Sequence, residues 1–397
     1  MDLLNGVATI LSRKHNHPSD SENSLMDLRI SILSNTCPQE YRGLLWKLFL
    51  RLNDISANSY ITLVERGASS MDDKIRNDTF RTLTTDNDFL EQVSEDMLIR
   101  VLNAFVWLNE PEYKVENDST SNQDNDNDNS NNHDIGSTNN SDIGSNNESY
   151  ENNNPDYGNN AYHAKEDNNK NNGTTNELIQ LRKRCSTEWF PNGKLTYVQG
   201  MNVLLAPFLM VLSEMESFFA FTKFMWKWCP LYVLPSLKGV HCGVKLVDLC
   251  LQHLDPQLYY SLLSKGLTAN MYAVPSVMTL CACTPPLNNL LPLWDVMFAF
   301  GIHLNLLFII AQLALIRNDL ITNPSPIKLL RKLPMLQPEK IIKITLSSIK
   351  ILPADLYDKM VRHAYDETVA DSLGIQISAG ISQSNDMMKL PAYIADL

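Results

Sequence analysis

About sixty consecutive residues of this chain are too polar to build a core. From about Glu116 to Asn176 roughly a third of the residues are Asn, and most of the rest are Asp, Ser, Glu, Gly and Thr. With almost no aliphatic side chains, the segment buries too little apolar surface to offset its chain entropy, and it is expected to be disordered. It also carries the charge. Eleven acids against two lysines lie between Asn117 and Asn176, so nine of the twelve net negative charges of the chain sit there. The remainder is close to balanced and offers no basic face, which argues against a nucleic-acid-binding protein.

The stretch separates two strongly patterned regions, so it is either a linker between domains or a loop inserted into one. Loop closure costs rise only slowly with length, which makes a long polar insertion tolerable. At 397 residues and 44% apolar, the chain can hold two average domains or one large domain plus disordered matter. Apolar positions at helical spacing run from Leu25 to Leu52, broken at Cys37-Pro38, and helices are predicted over Lys74 to Leu83 and Ser94 to Trp107. Downstream, the pattern predicts helices over Met201 to Ser213 (kinked at Pro207), Phe218 to Trp228, Val244 to Leu254, Leu287 to Ala299, His303 to Arg317 and Pro338 to Leu352. No strand alternation persists and no repeat period is present, so the expected fold class is all-α with many short helices.

Leu290 to Ile316 is apolar enough to raise the question of a membrane span. Asp295, His303, Asn305 and Gln312 lie within it and each would be costly in lipid, so it is read as a buried helix pair. The first twenty residues lack the layout of a secretory signal. Seven irregularly spaced cysteines, Cys37, Cys185, Cys229, Cys242, Cys250, Cys281 and Cys283, read as reduced thiols of an intracellular protein rather than a disulfide framework. There is no phosphate-cradling Gly-rich loop, no nucleophile elbow and no second ligand pair beside Cys281-Ala-Cys283. The chain is therefore expected to bind neither metal nor nucleotide by itself and to carry no hydrolase chemistry of its own.

Three short constellations remain. Arg42-Gly-Leu-Leu-Trp46 puts an arginine and a tryptophan on one helix face, where guanidinium can stack on indole; the plainer reading is a structural packing pair. In Ile75-Arg-Asn-Asp78-Thr-Phe-Arg81, helical spacing places Asp78 beside Arg81, with Ile75 a turn earlier. Alone this is an ordinary surface ion pair anchored by a buried isoleucine, but it also suits an arginine that neutralises phosphate charge, oriented by an aspartate. In Tyr197-Val-Gln199-Gly200-Met201, Gly200 permits a tight turn, Asn202 is placed to cap the following helix, and Gln199 is left at an exposed corner. A glutamine there is either a polar loop residue or a group that orients an attacking water.

In this order the three resemble the R-x-x-x-W, I-x-x-D-x-x-R and Y-x-Q-G-M motifs of the TBC domain, the GTPase-activating domain of Rab-type regulators. Leu293-Trp294-Asp295 followed by Gly301 is similar to a later stretch of the same family, and the likeness spans about Cys37 to Ala364. Met271 to Leu280 departs, where many members carry a Trp-containing motif; that bears on groove shape and partner choice. The runs KIRNDTFRT, VSEDMLIR, TYVQGMNVLLAP, LWDVMFAFG and SPIKLLRKLP resemble the mitotic-exit checkpoint branch of the family.

The resemblance implies an all-helical GTPase activator acting on a small Ras- or Rab-like GTPase. It would supply Arg81 and Gln199 in trans, supported by Asp78, Ile75, Tyr197, Gly200, Arg42 and Trp46. It would need no cofactor of its own, since GTP and magnesium sit on the partner. The same likeness implies a scaffold subunit as second partner, no membrane span, and a cytoplasmic protein recruited to the spindle pole body. The expected layout is an extension over 1–25, the activator domain over 26–370 interrupted at 116–176, and a tail over 371–397. A non-catalytic scaffold that keeps the fold is the competing expectation.

Overall fold

The computed structural model describes residues 18–34, 37–53, 55–110 and 195–375. The Asn/Asp-rich stretch, Cys185, most of the N-terminal extension and most of the C-terminal tail lie outside them. Every regular element among the described residues is helical.

Before the polar stretch come α1 (Pro18–Ser34), α2 (Gln39–Phe49), α3 (Ala57–Glu65), α4 (Asp72–Thr79), α5 (Asn87–Gln92) and α6 (Glu95–Asn109). After it come α7 (Met201–Val211), α8 (Glu214–Lys227), α9 (Lys238–Leu254), α10 (Pro256–Ser264), α11 (Ala269–Tyr272) and α12 (Val274–Met278). They are followed by α13 (Leu287–Phe300), α14 (Leu304–Leu315), α15 (Arg317–Thr322), α16 (Ile327–Arg331), α17 (Pro338–Ile349), α18 (Ala354–Arg362) and α19 (Thr368–Ser372). The starts follow from local chemistry. Ser94 accepts from the Met97 amide at the head of α6, and Asp86 does the same for Phe89 in α5. Ser213 and Glu216 form a reciprocal capping box that starts α8 four residues before the predicted Phe218. Likewise α9 begins at Lys238, six residues ahead of the predicted Val244.

Both sides of the polar stretch share one core. Trp46 of α2 meets Phe298 of α13 edge-on with ring centroids 4.8 Å apart, and Phe208 of α7 at 5.7 Å. Phe208 packs on Trp294 at 5.5 Å, and Phe224 of α8 on Phe298 at 5.4 Å. Around this aromatic centre α6 packs against α3, α4, α7 and α8, while α13 lies against α1, α2 and α17.

The apolar run 290–316 is two helices, α13 and α14, parted at Gly301. Gly301 holds φ +129°, and a Cβ there would come within 2.6 Å of the His303 ring, so the break requires glycine. The polar residues of the run are spent inside the protein: Asp295 on Arg42 and Trp46, Asn305 on the Ser276 carbonyl, His303 on the Tyr357 hydroxyl. No helix among the described residues is long and apolar enough to cross a membrane.

Two buried histidines make the fold acid-sensitive. His363 donates from Nδ1 to the Met360 carbonyl and accepts from the Tyr232 hydroxyl at 2.7 Å, which fixes a neutral ring. Burial pushes both His303 and His363 down to about 4 from their ordinary 6.5, with His363 adding to the effect on His303. The folded state therefore binds fewer protons than the unfolded chain between those values. The contribution of these two rings to stability is complete above pH 6.5 and is lost as pH falls toward 4, offset in part by the buried Asp295 carboxyl, which burial raises to about 6 and which acts in the opposite sense. A thermal midpoint followed from pH 7 to 4 is expected to fall across that window, and His303→Phe is expected to flatten the slope.

Candidate functional site

Arg81 is reached by a short route. α4 stops at Thr79, earlier than the predicted helix to Leu83, and residues 80–85 form a run of turns. Arg81 thus lies just past the helix C-cap, yet its three-residue offset from Asp78 still brings the two together: Nη2 donates to Asp78 Oδ1 at 2.7 Å. Fully buried Ile75 anchors the helix beneath them. The other carboxylate oxygen of Asp78, Oδ2, accepts from the Tyr197 hydroxyl at 2.8 Å. Burial, and then the neighbouring Asp78 charge, push the Tyr197 phenol well above its ordinary range, so it stays protonated and donating. One aspartate therefore joins the arginine turn to the segment that carries the glutamine.

That second segment turns sharply. Gly200 holds φ +97°, and a Cβ on it would sit 2.9 Å from the Met278 methyl, so both conformation and proximity favour glycine. Gln199, expected at an open corner, is half-buried. Asn202 does not cap α7; Gly200 occupies the cap position, and the Asn202 side chain turns elsewhere. Its Oδ1 accepts the Gly200 amide at 3.2 Å, while its Nδ2 donates to the Asp78 carbonyl at 3.2 Å and to Thr82 Oγ1 at 2.8 Å.

Arg81 and Gln199 line one small cleft together with Asp78, Gly200 and Asn202. The opposite wall is Pro275, Met278, Thr279 and Cys283. Met271 to Leu280, the stretch that departs from the TBC pattern, thus includes three of these wall residues. Arg81 brings a guanidinium to the cleft and Gln199 a carboxamide. That pair can neutralise phosphate oxygens and hold a water, and it contains no nucleophile poised by a base. Among the described residues no group of three or more His, Cys, Asp or Glu is placed to hold a metal ion.

Arg42 and Trp46 do not line the cleft. They meet at a carboxylate rather than face to face. Arg42 Nε donates to both oxygens of Asp295 at 3.1 and 3.0 Å, and Trp46 Nε1 donates to Oδ1 at 2.7 Å. Burial lifts the Asp295 carboxyl to about 6, against the pull of Arg42.

Three further residues, read only in part or not at all from sequence, hold the site. Asn202 and Thr82 link the two turns, and Asp86 caps α5 while its Oδ2 accepts the Leu287 amide at 2.6 Å, tying the arginine turn to α13. Their one sequence signal is a lone polar residue at the edge of an apolar run, Asn202 in MNVLLAPF.

A sequence model described as the Rab-GTPase-TBC domain matches residues 112–321. That match takes in Gln199 and starts downstream of Arg81. The chain is 38% identical to cell division control protein 16 of Schizosaccharomyces pombe over 82% of this chain and 81% of that protein. It is 31% identical to mitotic check point protein BUB2 of Saccharomyces cerevisiae, over 89% and 96% of the two chains. Among solved structures it resembles the Ypt/Rab-GAP domain of Gyp1p with a TM-score of 0.55 at 13% identity, covering 88% of this chain and 98% of that one. Family model, relatives and helical architecture agree: the chain belongs to the Rab-GTPase-TBC family.

Proposed function

We propose that this protein is a GTPase-activating protein that lends Arg81 and Gln199 to the active site of a small Ras- or Rab-like GTPase. The observation that carries the reading is their convergence: residues separated by 118 positions in sequence line one cleft with Asp78 beside them. GTP and its magnesium ion belong to the partner. In hydrolysis, water attacks the γ-phosphorus and the bond to the β–γ bridging oxygen breaks. Arg81 meets the negative charge on the transferring group, and Gln199 accepts a proton of the attacking water in a hydrogen bond and orients it.

One yeast relative is named for cell division control and the other for the mitotic check point, which supports a place in mitotic checkpoint control. On that basis the GTPase is one that governs exit from mitosis; a scaffold subunit as second partner and recruitment to the spindle pole body are what the motif likeness to the mitotic-exit branch adds. The chain completes another protein's active site rather than running a reaction alone. The layout follows: one activator domain over 26–370 with the polar stretch at 116–176 inserted between the two finger-bearing segments.

The test is single-turnover GTP hydrolysis by the mitotic-exit GTPase, with and without this protein and its scaffold. Gln199→Ala is expected to cut the stimulated rate by about 10²-fold or more, as loss of a water-positioning or oxyanion-type donor does. Because Gln199 is only half-buried, the variant should keep its fold and bind the GTPase as the parent does. Equal stimulation by parent and variant would remove Gln199 from the mechanism, and binding by the parent without any stimulation would leave a scaffold that does not help the GTPase.

A further inference from the structure

Asn202 is only 5% exposed, and both polar atoms of its carboxamide are engaged. Oδ1 accepts from the Gly200 amide at 3.2 Å and lies 3.4 Å from the Tyr197 hydroxyl, whose proton goes to Asp78. Nδ2 faces two acceptors, the Asp78 carbonyl at 3.2 Å and Thr82 Oγ1 at 2.8 Å. A flipped amide would set its NH2 against a donor and its oxygen against a carbonyl, so the orientation is determined. Thr82 also donates to the same Asp78 carbonyl, at 3.0 Å. One side of the amide therefore holds the backbone next to Gln199, and the other holds the Asp78 backbone and the Thr82 side chain, which lie on either side of Arg81.

We infer that Asn202 is a positioning residue that sets the arginine turn and the glutamine turn in register as one unit. Two groups borne on separate segments must reach one phosphoryl centre at the same moment, and a misplacement near 1 Å is enough to cost about 10²-fold in rate. Fixing both turns to one buried amide removes that freedom before the partner arrives. Asp78 links the same segments through side chains, but its Arg81 arm has to share the guanidinium with phosphate; the Asn202 arms end on backbone and on Thr82 and stay intact when Arg81 is engaged.

This inference rests on the reading of Arg81 and Gln199 as the groups lent to the GTPase. The experiment is single-turnover GTP hydrolysis at increasing concentrations of the full-length activator with its scaffold, for Asn202→Ala, Arg81→Ala, Gln199→Ala and the Asn202→Ala/Gln199→Ala pair. Asn202→Ala is expected to lower the saturating rate about 10- to 100-fold with the half-saturating concentration unchanged. In the Gln199→Ala background its effect should shrink, because part of what it positions is gone. Thr82→Val removes one arm while keeping the side-chain volume, and is expected to give a smaller loss of the same kind.

Full rate in Asn202→Ala, a change confined to half-saturation, or full additivity with Gln199→Ala would overturn the inference. If Asn202→Ala does not fold, an undiminished rate in Thr82→Val overturns it and a reduced saturating rate upholds it. Parental rates in Arg81→Ala and Gln199→Ala would sink the underlying assignment instead, so the two failures are distinct.

Discussion

Arg81→Ala is expected to lower the stimulated rate of GTP hydrolysis by about 10³- to 10⁵-fold, the usual contribution of an arginine supplied to a GTPase. Its structural cost should be small. The side chain is 29% exposed, and its ion pair with Asp78 is of the partly solvated kind worth about 0–1 kcal/mol. Asp78 keeps the Tyr197 hydroxyl on its second oxygen, so no buried carboxylate is stranded. Arg81→Lys is expected to restore little. A guanidinium can hold Asp78 with one nitrogen and present others to phosphate, whereas an ammonium is a single point of charge that must choose. Rates should be read at saturating activator, beside a direct measurement of GTPase binding and of the thermal midpoint. Parental hydrolysis by Arg81→Ala would remove this residue from the mechanism.

How far the sequence reveals this site depends on the range of each contact. Ile75, Asp78 and Arg81 are legible because their relation is local, three residues per step on one helix and its terminal turn. The turn at Gly200 is legible for the same reason. The family likeness, not the spacing, pairs Arg81 with Gln199, since nothing in the 117 residues between them encodes their meeting. Asn202 was readable only as a helix cap, because its true partners, Asp78 and Thr82, lie 124 and 120 residues away. Longer helices such as α6 and the largely buried α14 show enough turns to be recognised. Apart from α4, the helices of four to nine residues, α3, α5, α10 to α12, α15, α16, α18 and α19, span too few periods to stand out from loops. The capping box at Ser213 to Glu216 was a local signal passed over because the apolar pattern starts only at Phe218. The Arg42 and Trp46 pair shows the limit most clearly. Its helical spacing is visible, but the carboxylate that explains it is about 250 residues downstream.

That carboxylate is where the fold itself should be most vulnerable. Asp295→Asn is expected to cost about 3–5 kcal/mol, the range for stripping one partner from a buried ion pair, and to lower the thermal midpoint by several degrees. The substitution barely alters volume, so packing is not the cause. The new NH2 group would face the donor Nε of Arg42, and the guanidinium would be left buried with only neutral partners, Gln39 and the Cys37 carbonyl at 3.0 Å. Yet the pair is not simply a gain for the fold. Burial lifts the Asp295 carboxyl to about 6 even with Arg42 opposite, which means that desolvation outweighs the attraction. Removing both charges should therefore be far milder than removing one. In Arg42→Met/Asp295→Asn the methionine fills the space of the arginine stem, and the asparagine oxygen still accepts from Trp46 Nε1, which keeps the indole satisfied. Denaturant unfolding of the two single variants and the pair is the measurement. Near-additive losses would show that Arg42 and Asp295 stabilise the protein through separate contacts; recovery of most of the loss in the pair would show that the ion pair is maintained because neither charge can be buried alone.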